Sequence, residues 1–142
     1  MPAWSADGER IAFVRSAGSE QNDTITAPCD ILTVSAEGGH ALLVPGASGG
    51  GYNYHPAYSP DGKWLAFTHH DDGKTTYGEV KAEIYLIPAE GGAPRRIAAN
   101  NGPGGQRLED AGNTWPTWAD GGSTLLFSSR RCNEQYDIYS TK

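Results

Sequence analysis

No run of apolar residues in this sequence exceeds five, so it holds no transmembrane helix, which takes about 20 in a row. Strong aliphatic residues are scarce. Leu, Ile, Val and Phe together supply 22 of the 142 residues, a level at which disorder becomes a competing reading. Four Trp and seven Tyr argue against disorder, because disordered chains are poor in aromatics. Charges cluster little, and the net charge of -6 argues against a nucleic-acid role. The two cysteines, Cys29 and Cys132, form no Cys-x-x-Cys pair. Neither has a following His for haem attachment, nor a second Cys or His at zinc-ligand spacing. Met1 is followed directly by Pro2-Ala3-Trp4-Ser5, with no basic or apolar leader region. That leaves two readings open: a cytoplasmic protein, or an internal or mature piece of a longer chain. Helical periodicity is also missing; no segment keeps it for more than one turn.

What the sequence does have is turn chemistry. Gly and Pro account for 28 of 142 residues, well above the usual share of about 12%. These residues punctuate a repeat. Pro2-Ala-Trp-Ser-Ala-Asp-Gly-Glu-Arg-Ile-Ala-Phe13 aligns with the stretches Pro56 to Phe67 and Pro116 to Phe127. A second block follows each: Cys29 to Gly39, Ala82 to Gly92, and Tyr136 to Thr141. A third short run follows in the first two copies, Ala41 to Val44 and Arg95 to Ala98. Asp7-Gly8, Asp61-Gly62 and Gly121-Gly122 sit between β-type runs and supply the positive φ of a tight hairpin. In the second block Ile84 and Leu86 point one way and Tyr85 and Ile87 the other, which is strand period.

Each repeat therefore predicts a four-stranded antiparallel meander. One such sheet cannot bury both faces, and stacking sheets around an axis does so. The expected fold is all-β: β-propeller blades at 2–45, 56–99 and 116–142, the third lacking its outer strand. Trp4, Tyr58 and Trp118, with Phe13, Phe67 and Phe127, should fill the space between blades. A β-sandwich is the alternative, disfavoured by the long repeat spacing. Cys29 and Cys132 precede the third strands of blades one and three. That placement separates them by roughly 25 Å, beyond disulfide reach.

The Pro-x-Trp-Ser-Pro-Asp-Gly-Lys-x-Ile-Ala-Phe core, the Ile-Tyr strand and the Gly-Gly turn resemble the TolB-type propeller repeat. Pro56 to Phe67, with Glu83-Ile84-Tyr85 and Gly91-Gly92, matches almost throughout. Ala6 replaces the usual Pro in the first copy, and Asp120-Gly121-Gly122 alters the turn of the third. The resemblance implies a periplasmic or extracellular protein, a protein partner met through rim loops and open blade edges, and no membrane span. Closed rings usually need at least four blades. Three blades thus predict a piece of a larger ring, two half-rings that self-associate, or a partial ring completed by another chain.

Candidate contact residues follow from the connections. His69-His70-Asp71-Asp72 leaves the second strand of blade two and offers imidazole and carboxylate groups, or simply a solvated turn. Tyr54 and His55, and likewise Asn113 and Trp115, stand just before the Pro that opens blades two and three. They are expected on connecting loops at the channel mouth, as a binding surface or as plugs between blades. No Gly-x-Ser-x-Gly elbow, phosphate loop or matched Ser/His pair is present, so no catalytic residue and no metal ligand is expected. No cofactor is expected either. A channel calcium ion is the one exception the resemblance leaves open, and no Asp-x-Asp-x-Asp pattern supports it. The expected function is a non-catalytic interaction scaffold. The alternatives are an accessory propeller of a prolyl-oligopeptidase-like hydrolase or exported redox complex, and a sugar- or peptide-binding module.

Overall fold

The structure is a computed structural model that describes residues 1–16, 20–21, 24–25, 27–71, 81–106, 108, 111–131 and 135–141. It is all-β. The first unit holds β1 (Ala3–Trp4) and β2 (Arg10–Ser16), then a small hairpin of β3 (Glu20–Gln21) and β4 (Thr24–Ile25), then β5 (Cys29–Ser35) and β6 (Leu42–Leu43). The second holds β7 (Tyr52–Tyr58), β8 (Trp64–His70), β9 (Glu83–Pro88) and β10 (Arg95–Arg96). The third holds β11 (Thr114–Ala119), β12 (Thr124–Ser129) and β13 (Asp137–Thr141). Within each unit, successive main strands pair antiparallel, as the meander requires. A single parallel bridge, Cys29 to Tyr52, joins the first unit to the second.

The hairpin turns explain the Ser-x-Asp-Gly signature. Ser59 Oγ donates to Asp61 Oδ1 at 2.6 Å and accepts from the Trp64 N–H at 2.9 Å. Asp61 Oδ1 also accepts from the Lys63 N–H at 3.1 Å. Ser5, Asp7, Glu9 and Arg10 repeat the same pattern at 2.6, 2.9 and 3.0 Å. Gly8 and Gly62, with φ of 74 and 72°, take the left-handed step that closes each turn. The third copy departs. Ala119 has no hydroxyl to offer, and the turn becomes a 3-10 segment, Asp120–Gly122. Asp120 itself adopts a φ of 50° and accepts from Thr124 Oγ1 at 2.9 Å.

The core is laminar. Ala12, Ile31 and Val44 of the first unit pack on Tyr58, Leu65, Phe67 and Ile87 of the second. The other face of the second unit, with Ala66, Ile84 and Ile97, packs on Leu125 and Phe127 of the third, flanked by Trp118 and Tyr139. The Trp118 indole N–H crosses that layer to the Ala57 carbonyl at 3.0 Å. Each layer therefore needs two units. Trp4 occupies the repeat position of buried Tyr58 and is 60% exposed; Ile138 occupies that of fully buried Ile84 and is 77% exposed. Phe13 is half-buried rather than sealed in a layer. The connections interlock as well: a Cβ at Gly46 would run into the Gly92 carbonyl of the next unit, where Gly92 N–H bonds Pro45 O.

The inner strands start earlier than the repeat suggests, at Tyr52 rather than Pro56 and at Thr114 rather than Pro116. A bulge lets the ladder continue past each proline, which lacks an N–H to pair. The register shifts between Tyr54 and Ala57, and again between Thr114 and Thr117. Cys29 is a buried free thiol, and Cys132 lies outside the described residues.

The turn network makes a measurable contribution. Ser59→Ala deletes one donor and leaves the Trp64 N–H unpaired, at a cost of about 1–2 kcal/mol near neutral pH. The Ser59 hydroxyl, then the Lys63 N–H, hold the Asp61 carboxyl below its ordinary 3.8. A depressed carboxyl contributes stability above that ordinary value and loses it as pH falls toward the folded value. The deficit of Ser59→Ala in urea unfolding should therefore shrink at pH below about 3.8.

Candidate functional site

Of the candidate residues, Tyr54, His55, His69, His70 and Trp115 lie in strands of the second and third units rather than in loops, Asn113 immediately precedes β11, and Asp71 follows β8. His55 and Trp115 are the bulge residues themselves, with left-handed φ of 52 and 50°. That conformation is uncommon for a bulky side chain, and it occurs here twice at matching repeat positions. It turns both rings toward the junction, where they stack at 4.9 Å between centroids. The stack is continuous on both sides. Tyr52 lies flat on His70 at 4.6 Å, His70 meets the edge of Tyr54 at 5.6 Å, and Tyr54 meets His55 at 4.7 Å. Trp115 meets Tyr136 at 5.6 Å, and the Arg130 guanidinium lies over the Tyr136 ring. Sequence reasoning placed Tyr54, His55 and Trp115 on connecting loops at the channel mouth, as a binding surface or as plugs between blades, and His70 on a rim loop. Tyr54, His55 and His70 are in fact buried, and Trp115 is half-buried.

The polar groups here join one unit to the next. His55 Nδ1 pairs with Thr114 Oγ1 at 3.0 Å, and Thr68 Oγ1 lies 3.4 Å from the same hydroxyl. Burial, with a smaller push from the N-terminal ammonium, lowers the His55 pKa from 6.5 to about 3. A ring so held is neutral across the physiological range.

Asn113 is fully engaged. Its N–H bonds the Ala82 carbonyl at 2.8 Å, and its Nδ2 donates to Asn100 Oδ1 and Asn100 O. Arg131 Nη2 donates to Asn113 Oδ1 at 2.9 Å, and to the Ala99 carbonyl at 2.8 Å. Asn100 completes the join: its side-chain amide pairs with both the N–H and the carbonyl of Ile84 at 2.8 Å, standing in for a strand residue. Sequence reasoning missed Asn53, Asn100, Thr114 and Arg131. Asn53 was findable, because it holds the repeat position of Asn113.

His69 points to a different place. Asn53 Nδ2 donates to Gly50 O at 2.9 Å and Cys29 O at 3.4 Å, which turns Oδ1 toward His69 Nδ1 at 2.8 Å. Both ring nitrogens of His69 thus face oxygen acceptors, Nδ1 the Asn53 Oδ1 and Nε2 the Asp71 Oδ1 at 3.0 Å. A pocket of about 280 Å³ opens beside this pair, walled by Ser48, Gly50, Tyr85 and Pro94. Asp71 is exposed, and Asp72 lies outside the described residues. The expected His69 to Asp72 cluster is thus divided: His70 goes into the aromatic stack, while His69 and Asp71 form a rim pair. Cys29 backs the junction. Its thiol donates to Asn53 O at 3.3 Å, and burial pushes its pKa up to about 11. Among the described residues, no three His, Cys, Asp or Glu side chains gather as a metal site.

No family model matches the chain. It is 27% identical over 125 residues to "Uncharacterized peptidase YuxL" of Bacillus subtilis (strain 168), a match covering 88% of this chain and 16% of that protein. Among solved structures it resembles TolB from Acinetobacter baumannii, with a TM-score of 0.63 and 22% identity over 98% of this chain and 28% of that one. An oligogalacturonate lyase in complex with manganese superposes on the whole chain at a TM-score of 0.66 and 18% identity, over 38% of its own length. A prolyl endopeptidase superposes at a TM-score of 0.58 and 11% identity, over 19% of its length. The chain spans well under two thirds of each of these proteins. Identities this low speak to fold alone, and the fold they define is the TolB-like β-propeller.

The buried His55 gives stability a pH dependence. Its folded pKa lies below the unfolded one, so the unfolded state binds the proton first. The contribution is complete above 6.5 and declines as pH falls from 6.5 toward about 3. His55→Phe keeps a ring against Trp115 and removes the titration. Urea midpoints of the variant should fall less than those of the parent across that window.

Proposed function

We propose that this stretch of TolB-like propeller is a non-catalytic protein-interaction scaffold. The observation that carries the reading is how its reactive side chains are used. His55, Asn113, Thr114 and Cys29 are buried at the junction between units, in contacts that hold one blade to the next, and His70 is buried in the aromatic stack beside them. A His55 imidazole with its pKa lowered to about 3 is a weak base, which suits packing better than proton transfer. The surfaces left for recognition are the rims and the outer faces, where Trp4 and Ile138 stand exposed in positions that interior copies bury. Such faces suit a neighbouring blade, from the same protein or from a second copy. A periplasmic or extracellular setting fits the likeness to TolB. Among the described residues, no helix is long and apolar enough to cross a membrane.

A second reading has its own support: the partial likeness to a protein named as a peptidase, and to the propellers of prolyl endopeptidases. On that reading the blades gate a hydrolase domain elsewhere in the polypeptide. The two readings agree that the blades themselves turn nothing over. Incubation with chromogenic peptide and glycoside substrates should give no saturable hydrolysis. Turnover that disappears in His69→Ala would sink both readings. Peptidase activity of a longer polypeptide that changes when the blades are deleted would favour the second.

A further inference from the structure

The turn-bearing rim between the first and second units carries a groove of about 830 Å³. Its floor is the buried Val44 and Ala89, and Leu42, Leu43 and Pro45 stand exposed along its lip. The two leucines are 68% and 49% exposed, consecutive large apolar residues on a strand that closes one edge of the sheet. Among the described residues, most exposed large apolar side chains stand singly, and single ones need no explanation.

The backbone at this lip has a defined direction. Val44 N–H donates to Ile31 O, and Leu42 lies opposite Thr33. Antiparallel strands alternate the sides to which successive residues present their peptide groups. Val44 and Leu42 thus face β5, and the N–H and carbonyl of Leu43 face away from the sheet. An extended segment laid along β6 would find one donor and one acceptor there, in the manner of strand addition.

Charge selects the segment. Glu9, Glu37 and Glu90 line the groove, together with Arg10 and His40. Glu90 is already held by both terminal nitrogens of Arg10, at 2.8 and 2.6 Å. Glu9 and Glu37 are exposed, and their carboxylates make no ion pair among the described residues. The groove is therefore acidic beside an apolar lip, on a chain with a net charge of -6.

We propose that this groove binds an extended protein segment carrying a Lys or Arg side chain next to an apolar one, aligned along β6. The proposal rests on the scaffold reading and names the class of partner. It is independent of the inner aromatic stack.

The test uses the whole chain and fluorescein-labelled strand-forming peptides of alternating Lys and Val, with Glu-Val and proline-interrupted controls, read by fluorescence polarisation. The Lys-Val peptide should bind best and weaken with added salt. Glu9→Lys with Glu37→Lys should weaken it by about tenfold or more and improve binding of the Glu-Val peptide. Leu42→Ser with Leu43→Ser should weaken the Lys-Val peptide without that exchange of preference. On the unaltered chain, the Leu43 amide resonance should shift on titration, which requires no variant to fold. Equal binding of the two charged peptides, indifference to the charge reversal, or an unmoved Leu43 amide would overturn the assignment. That failure would leave the scaffold reading standing. Hydrolysis of the substrates described above would remove the scaffold reading, and the peptide titrations would register that failure separately because they read binding alone.

Discussion

Each unit of this chain is too thin to have an inside of its own, and that constraint organises the rest. A sheet one layer deep has two faces to bury, so its aliphatic and aromatic residues face a neighbour. Leu65 and Phe67 look back at the first unit, while Ala66 and Ile84 look on to the third. Alternation along a strand is what lets one sheet serve two layers at once. This also accounts for the low aliphatic content. The chain needs thin seams of apolar contact, with Trp and Tyr supplying much of the area.

The seams alone do not fix how far one unit rotates on the next. That is set at the inner ends, where polar and aromatic groups cross the joint. The Asn100 amide closes a gap in the strand pairing, Arg131 collects carbonyls of the incoming connection, and His55 stacks on Trp115. The left-handed bulge before each proline is the device that aims those rings. Its conformational cost is offset by burying two large side chains against each other. The outer rim is held more lightly. The Arg10 to Glu90 pair there is largely exposed, and pairs of that kind contribute little.

The architecture was legible in the sequence because it is written three times. A turn motif, an alternating strand and a Gly-Gly stop recur in fixed order, and only a stacked sheet fold uses such a unit. The altered third turn was legible too, since Ala119 cannot make the hydroxyl bond that Ser5 and Ser59 make. The site was harder. Glycines before Tyr52 and prolines after His55 and Trp115 suggested open loops. The bulge keeps those residues in the ladder, and a bulge leaves no local signature beyond the proline. His69 and His70 are neighbours in sequence but occupy opposite faces of β8, so one joined the aromatic stack and the other the rim. Asn100 and Arg131 were invisible because their partners lie far along the chain, and only packing brings them together.

Cys29 gives this design a consequence of another kind. Its sulfur sits behind the joint between the first and second units, protonated and out of contact with solvent. A thiol in that state is inert toward oxidants and alkylating reagents while the joint is shut. It becomes reactive only when the two blades part. The protein thus carries a chemical clock for its own breathing: under reducing conditions and with Cys132 substituted, the rate at which a thiol reagent labels this sulfur measures how often neighbouring blades separate.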